Sequence, residues 1–422
     1  MKIGIIGCGY VFDHYMTTWS QHPGITLAGV ADRNMERARQ VGDYYGLRVY
    51  DDAAALLADP EIAIVANFTS IESHFVVCKA ALEAGKHVYC EKPLTMALEE
   101  ARALADLATE KGLRLSAAPS NALSPSVQTL WKAVEDGAIG TPRMIYAEFD
   151  DNPVYLLAPE TWRSRSGAPW PYLHEYEMGC TWEHVGYHLT WMCAIFGPVR
   201  SVTSFSKATL PDKTDQPLTP ADTPDFSVAC LDFESGVVGR ITCSIAAPTD
   251  HRMRIIGNQG VISADTYRDY FAPVRLEPYS DVTLKARNLR ALRENSVLGG
   301  LMGVGGQSVP LAASPAPGGT EIHRPKGWKA RQRGQQDKAT GLAELADALA
   351  NDRPHFPSPD FTLHLTELTL AIQGAGPDGA SRSLTTRFDP LPLPERTAKA
   401  GPDYKSFRKP ALIPRLLGAR LS

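Results

Sequence analysis

The sequence predicts an α/β N-terminal domain, a parallel sheet with helices on both faces, followed by a C-terminal α+β domain with a large, mainly antiparallel sheet. Three observations carry this. Over residues 1–122 short apolar runs alternate with helix-length segments, the pattern of right-handed βαβ units. Beyond residue 123, strand-like runs follow one another across short glycine or polar turns, as antiparallel strands do. The chain has 422 residues, 44% hydrophobic and 21% charged, enough apolar material for more than one core. The expected division is 1–122 for the first domain, 123–396 for the second and 397–422 for a basic tail.

In chain order, residues 2–6 form a strand ending at Gly7-Cys8-Gly9, where a helix opens and runs to about His22. Strand Ile25–Val30 leads to Asp32, helix Asn34–Tyr45 follows, and Arg48–Tyr50 forms a short strand. Strand Ile62–Phe68, helix Ile71–Ala84 closed by Gly85, and strand His87–Cys90 make the next unit. Thr95 caps a helix to Lys111 with Glu99 and Glu100 at its positive end, and strand Leu113–Ala118 completes the sheet. In the second domain Met144–Asp150, Ser201–Lys207, Asp225–Phe233, Gly236–Ile245 and Arg252–Ser263 read as strands. Thr181–Phe196 and Asp337–Asn351 read as its few helices.

Charge and composition exclude several functions. A formal net charge of −4 is unlike a protein that binds nucleic acid through bulk positive charge. No apolar run is long enough to span a bilayer, and the N-terminus enters a strand without a signal-peptide core, so the cytoplasm is the expected compartment. Seven scattered cysteines without a Cys-x-x-Cys pair read as reduced, buried thiols. Residues 285–338 carry ten Lys/Arg against three Asp/Glu. They read as a long basic arm that covers the site, holds a phosphorylated or nucleotide-linked sugar, embraces a neighbouring subunit, or is simply solvated.

Gly7-Cys8-Gly9, between strand and helix, suits a pyrophosphate-binding turn. Gly7 permits the tight bend, and Gly9 lets backbone N–H groups approach phosphate at the helix N-terminus. The third small residue of such fingerprints falls at Phe12, whose ring must point away or shift the helix. Asp32, 25 residues after Gly7, stands where an acid binds an adenosine ribose diol. Its charge favours NAD over NADP, although Arg33 beside it suits a 2′-phosphate.

The string Ala84-Gly85-Lys86-His87-Val88-Tyr89-Cys90-Glu91-Lys92-Pro93-Leu94 resembles the glucose–fructose oxidoreductase / inositol dehydrogenase (Gfo/Idh/MocA) family. Asn67-Phe68-Thr69 with His74, Trp162-Arg163 and Gly186-Tyr187-His188 extend the likeness over roughly residues 1–270. The resemblance implies a Rossmann domain with a cofactor set of Gly7, Gly9, Tyr10, Val11, Asp32, Arg33, Asn67, Thr69, His74, Glu91 and Lys92. Lys92 lies past the carboxyl end of a parallel strand, where α/β sheets bind ligands, and its ammonium can stabilise a developing alkoxide. Lys86 reads as solvated.

The family pattern Asp-x-Gly-x-His is here His184-Val185-Gly186-Tyr187-His188, a histidine in place of the aspartate. His188 is the expected general base, and His184 is expected to position the substrate or the other imidazole. His184, His188 and neighbouring Glu183 also have metal-ligand chemistry, but the resemblance implies no metal. The expected substrate contacts are Lys92, Asn121, Trp162, Arg163, Tyr172, Glu183, His184, Tyr187 and His188. Trp170, Tyr172, His174, Tyr176 and Glu177 suit a sugar face or a self-packed loop. Arg163 and Arg165 suit an anionic group or pairing with Glu160.

The implied activity is hydride transfer between NAD or NADP and a secondary hydroxyl of a sugar, glycoside or cyclitol. The partners are that small molecule and further copies of the chain in a homo-dimer or homo-tetramer, with neither nucleic acid nor membrane. A redox-cycling glycosidase or lyase and a sugar-sensing regulator are the alternatives.

Overall fold

The computed structural model describes residues 1–312, 335–409 and 412–416. The middle of the expected basic arm, 313–334, and the last residues of the tail lie outside the described residues.

The first sheet is built from β1 (Lys2–Ile6), β2 (Thr26–Ala31), β3 (Ile64–Asn67), β4 (His87–Cys90) and β5 (Leu115–Ala117). Their order is β2-β1-β3-β4-β5, with every pairing parallel. A parallel sheet must be covered on both faces. Helices Tyr10–Met16 and Met35–Tyr45 cover one, burying Phe12, Tyr15, Ala38 and Val41 against Ile3 and Ile5. Helices His74–Glu83 and Leu98–Glu110 cover the other through Leu82, Ala101 and Leu104.

The second sheet comprises β6 (Pro142–Asp150), β7 (Val199–Lys207), β8 (Phe226–Phe233), β9 (Val238–Ser244), β10 (Met253–Gly257), β11 (Gly260–Ala264), β12 (Val274–Pro278), β13 (Gln307–Val309) and β14 (Ala380–Ser383). The order is β13-β12-β11-β10-β6-β9-β8-β7-β14. All neighbours are antiparallel except β6 and β9, which run parallel. Helix Cys180–Phe196 lies on this sheet, burying Val185, Leu189, Trp191 and Met192.

Several elements differ from expectation. The run 252–263 is a hairpin, β10 and β11, because Gly257-Asn258-Gln259-Gly260 turns the chain. Arg48–Tyr50 reduces to an isolated bridge between Val30 and Val49. The helix opened by Tyr10 stops at Met16, with a 3-10 turn at Trp19–Gln21. Thr95 does not cap its helix: that helix begins at Leu98, and the Thr95 hydroxyl donates to the Ala97 carbonyl (2.7 Å). Lys86 is buried, its ammonium donating to the Asp59 and Ile62 carbonyls.

Helices Pro125–Glu135, Tyr172–Met178 and Pro359–Gln373 and strands β12 to β14 were not read from the sequence. Residues 281–312 are not a bare arm. They form short helices Asp281–Ala286, Arg290–Glu294 and Ser296–Leu301, then β13 against β12.

Helix Thr340–Ala350 follows the arm but packs in the first domain's core, where Leu342, Leu345 and Ala346 join Ile3, Ile5 and Tyr89. Gly341 makes this approach possible, since a Cβ there would lie 2.3 Å from the Tyr89 hydroxyl. The chain thus returns to its first sheet after building the second. Leu345 is fully buried, so Leu345→Ala should destabilise the first domain by about 2–5 kcal/mol. Urea unfolding should show a lower midpoint, with cofactor-domain fluorescence lost first; an unchanged midpoint would remove this helix from the core.

Candidate active site

The register places the ends of three strands together. Ile6 pairs with Asn67, and Asn67 with Cys90, so the Gly7 and Glu91 turns leave the sheet at one edge, two strands apart. Gly7 has φ +104° and lies so close to β3 that a Cβ would sit 2.4 Å from the Phe68 carbonyl carbon. A side chain at Gly9 would meet nothing within 4 Å, and helix Tyr10–Met16 starts there without a side-chain cap. Open backbone donors beside open space fit a pyrophosphate. Phe12 does not intrude: it is fully buried against Tyr45, on the side away from the turn.

Asp32 accepts from the Cys8 amide (2.7 Å) and the Asn34 amide (2.8 Å), which orients the carboxylate beside the turn. These residues fit the pyrophosphate and adenosine ribose of a dinucleotide. Arg33 is exposed, and Tyr10 and Val11 are half-buried on the opening turn. Arg37 donates to the Cys8 carbonyl (2.7 Å), Gln40 and Ser166, tying the turn to a loop of the second domain.

Three of the expected cofactor residues, Asn67, His74 and Glu91, also brace one another's turns internally. Asn67 is fully buried, donating to the His74 carbonyl and accepting from Thr69. His74 faces the Pro93 carbonyl with Nδ1 (2.7 Å) and the Thr69 carbonyl with Nε2 (3.2 Å). Glu91 accepts from the Tyr15 hydroxyl (2.8 Å) and the Lys92 amide (3.0 Å). Together they fix the turn that carries Lys92.

Lys92 Nζ lies 2.6 Å from Glu183 Oε2 and 5.7 Å from the Tyr187 ring centre. Burial pulls its pKa down, but Glu183, Tyr187 and Glu91 outweigh that and hold it above the ordinary lysine range. Lys92 therefore stays an ammonium: a donor, not a proton acceptor.

The helix Cys180–Phe196 presents a different face from the one expected. Glu183 and Tyr187 are four residues apart and share the face toward Lys92. His184 and His188 lie about 100° further round. His188 is fully buried: the Trp191 indole donates to its Nδ1 (2.8 Å), so Nε2 carries the hydrogen and donates to the Glu148 carbonyl (2.7 Å). Burial, then nearby His251, pushes its pKa down to about 3. Both nitrogens are engaged, which corrects the general-base role expected of His188. His184 stacks on Phe149 (4.4 Å) and turns Nε2 to Glu175, while its Nδ1 is buried without a partner. Among the described residues no three His, Cys, Asp or Glu side chains converge as a metal site.

Asn121 is buried and donates to the Tyr187 carbonyl (2.7 Å), so it fixes that residue rather than lining open space. Trp162 stacks on Trp170 (4.7 Å), Tyr172 meets Tyr176 edge-on, and His174 pairs with Glu72. Arg163 donates to the Glu160 and Trp162 carbonyls within its own loop. These aromatics pack on one another, as in the self-packed reading of the loop.

One residue at the edge was not singled out from the sequence. Lys338, from the end of the expected arm, places Nζ 3.2 Å from the Tyr187 hydroxyl and 3.5 Å from Glu91 Oε1. Its separation of 247 residues from Glu91 leaves no local spacing to betray it. The nearest signal is Asp337-Lys338, a charged pair just before an apolar helix.

Comparison with known proteins agrees with the fold. Residues 1–118 match the model of the Gfo/Idh/MocA oxidoreductase family described as an NAD-binding Rossmann fold, and residues 127–263 match that family's C-terminal domain. A D-apiose dehydrogenase of Paraburkholderia graminis is 32% identical over 142 residues, 33% of this chain and 38% of that protein. The match therefore spans well under half the length of that relative. A myo-inositol 2-dehydrogenase of Thermotoga maritima is 25% identical over 272 residues, 64% of this chain and 76% of that protein. Levoglucosan dehydrogenase, solved with NADH and levoglucosan, shares the fold with a TM-score of 0.68 at 21% identity, covering 87% of this chain and 95% of that one. With both domain models matched in order over more than half its length, and the Glu91-Lys92-Pro93 turn at the sheet edge, the chain belongs to the Gfo/Idh/MocA family of oxidoreductases.

Proposed function

We propose that the chain is an NAD(P)-dependent oxidoreductase that moves hydride between a nicotinamide dinucleotide and a secondary hydroxyl of a sugar, glycoside or cyclitol. The observation that carries this is the shared edge: an open glycine turn with Asp32 at one strand end, and Lys92, ion-paired with Glu183, two strands away. D-apiose and myo-inositol dehydrogenases among the relatives support a polyhydroxyl substrate. The homo-dimer or homo-tetramer expected from the sequence, and a cytoplasmic location, belong to the same proposal.

When bound at this edge, the nicotinamide supplies the hydride acceptor or donor. The chain does the rest. Gly7 and Gly9 open the backbone to the pyrophosphate, and Asp32 takes the adenosine ribose hydroxyls. Lys92 donates a hydrogen bond to the reacting oxygen and stabilises the negative charge that develops on it. Glu183 aims the ammonium and, among the described residues, leaves two of its three donors free. Glu91 and His74 fix the turn beneath it. His188 anchors its helix on β6.

In the wild type, reduced dinucleotide should appear mole for mole with oxidised sugar. Cleavage of a glycoside without net reduction would favour a cycling lyase instead. Lys92→Met should lower kcat/KM by roughly 10²- to 10⁴-fold, read as the rate of reduced-cofactor formation. Asp32→Ala should weaken NAD binding by roughly tenfold or more while leaving the KM for sugar nearly unchanged, as measured by cofactor titration.

His188 should mark the pH dependence of stability. It is neutral when folded, with its pKa near 3, and takes a proton near pH 6.5 when unfolded. Its stabilising contribution is complete above about pH 6.5 and is lost as pH falls toward about 3. Urea midpoints of the wild type should therefore drop between pH 7 and pH 4 more steeply than those of His188→Gln. Parallel curves would show that His188 is not buried neutral.

A further inference from the structure

The dehydrogenase reading leaves one role unfilled: the group that exchanges a proton with the substrate oxygen. Lys92 holds its proton, His188 has both nitrogens engaged, and His184 faces Glu175 with its other nitrogen buried.

Tyr187 has the surroundings the role requires. Its ring stacks on Tyr267 (5.0 Å, 18°) and runs nearly parallel to Phe149 (10°), and Asn121 holds its carbonyl. Its hydroxyl lies 3.2 Å from Lys338 Nζ, and the Lys338 and Lys92 ammoniums lie 5.5 and 5.7 Å from its ring centre. Lys338 is itself placed by a buried clamp one residue earlier. Asp337, fully buried, accepts from the Thr18 hydroxyl (2.5 Å) and faces His22 Nε2 (2.8 Å). Thr18 and His22 flank the 3-10 turn that follows the nucleotide-turn helix, so the clamp fixes Lys338 against the cofactor domain. Among the described residues, the charged and titratable groups around the phenol are Lys92 and Glu91 from the β4 turn, Tyr15 from the first helix, Glu183 and His184 from its own helix, Tyr267 and Arg268 beyond β11, and Lys338.

We propose that Tyr187 is the catalytic acid–base of this site and that Lys338, hydrogen-bonded to it, is its positioning residue. The proposal rests on the dehydrogenase reading. In the direction of reduction, the carbonyl carbon gains hydride from the reduced dinucleotide and its π pair moves onto oxygen. The Tyr187 O–H bond breaks and its proton joins that oxygen. The phenolate left behind is compensated by the Lys338 ammonium until water returns the proton. Oxidation runs the same steps in reverse, the phenolate taking the alcohol proton. Lys92 polarises the oxygen throughout.

The test uses the full-length protein with Tyr187→Phe, Lys338→Met and Lys338→Arg. Tyr187→Phe should lower kcat by roughly 10²- to 10⁴-fold, with NAD affinity and sugar KM little changed. Lys338→Met should lower kcat and move the pH–rate profile to higher pH, and Lys338→Arg should restore part of both. Retention of most of the wild-type kcat by Tyr187→Phe, with an unmoved pH profile, would overturn the proposal. A measurement without turnover separates this from failure of the dehydrogenase reading. In ¹³C-tyrosine spectra of the protein without cofactor, the ring signal lost in Tyr187→Phe should change position in Lys338→Met and recover part of that change in Lys338→Arg. If it keeps its wild-type position, Lys338 does not act on Tyr187, whatever the enzyme turns over. If it moves while no sugar or cyclitol is oxidised, the pair stands and the dehydrogenase reading falls.

Discussion

The Glu91 carboxylate, buried at the end of β4, is bonded at once to Tyr15 from the first helix, to the Lys92 amide and to Lys338 from late in the chain. Burying a lone carboxylate costs several kcal/mol, so it persists as a charge only if its partners are in place. Burial raises its pKa, but Lys338, Lys92 and Tyr15 outweigh this and hold it below the ordinary range. One of those partners arrives only after the whole second sheet has been built. The cofactor domain's edge is therefore completed electrostatically by the segment that leads into helix Thr340–Ala350. That helix in turn needs the first sheet to bury Leu342 and Leu345. Core and site thus close together, through the same returning chain.

What could be read from the sequence follows from the range of the forces involved. The strands of the first sheet and the bend at Gly7 are local: apolar runs, glycines and short separations specify them. Lys92 was legible because a family-specific string surrounds it. Its consequence for Glu91 was not, because Tyr15 and Lys338 reach that carboxylate from 76 and 247 residues away. The same limit hid β12 to β14 and helix Pro359–Gln373. The latter packs between helix Leu98–Glu110 of the first domain and helix Cys180–Phe196 of the second, so its apolar surface is divided between two neighbours and shows no single clean stripe.

The helix Cys180–Phe196 shows a subtler limit. A spacing of four residues says that two side chains share a face, but not which face the fold will turn inward. Positions 183/187 and 184/188 satisfy it equally. One residue is about 100° on a helix, so the choice decides whether the site sees Glu183 and Tyr187 or two histidines. Packing settles it. Trp191, three residues after His188, donates to that imidazole from the same face, while the Glu148 carbonyl on β6 takes its other nitrogen. The carboxylate that the family pattern places at 184 is supplied here from 183, where it meets Lys92 directly.

That arrangement bears on what the pocket recognises. Among the described residues, the three cations around Tyr187 each face a carboxylate: Lys92 has Glu183, Lys338 has Glu91, and Arg268 has Asp151. A phosphorylated sugar is held best by cations whose charge is not already matched. A paired ammonium has lost most of its net field but keeps spare N–H donors in fixed directions. Such donors discriminate by the placement of hydroxyl oxygens. Around Tyr187, matched charges with spare donors suit the uncharged polyhydroxyl substrate proposed for this site better than an anionic one. Among the described residues of 285–338, Lys338 is the cation brought to Tyr187, and it faces Glu91.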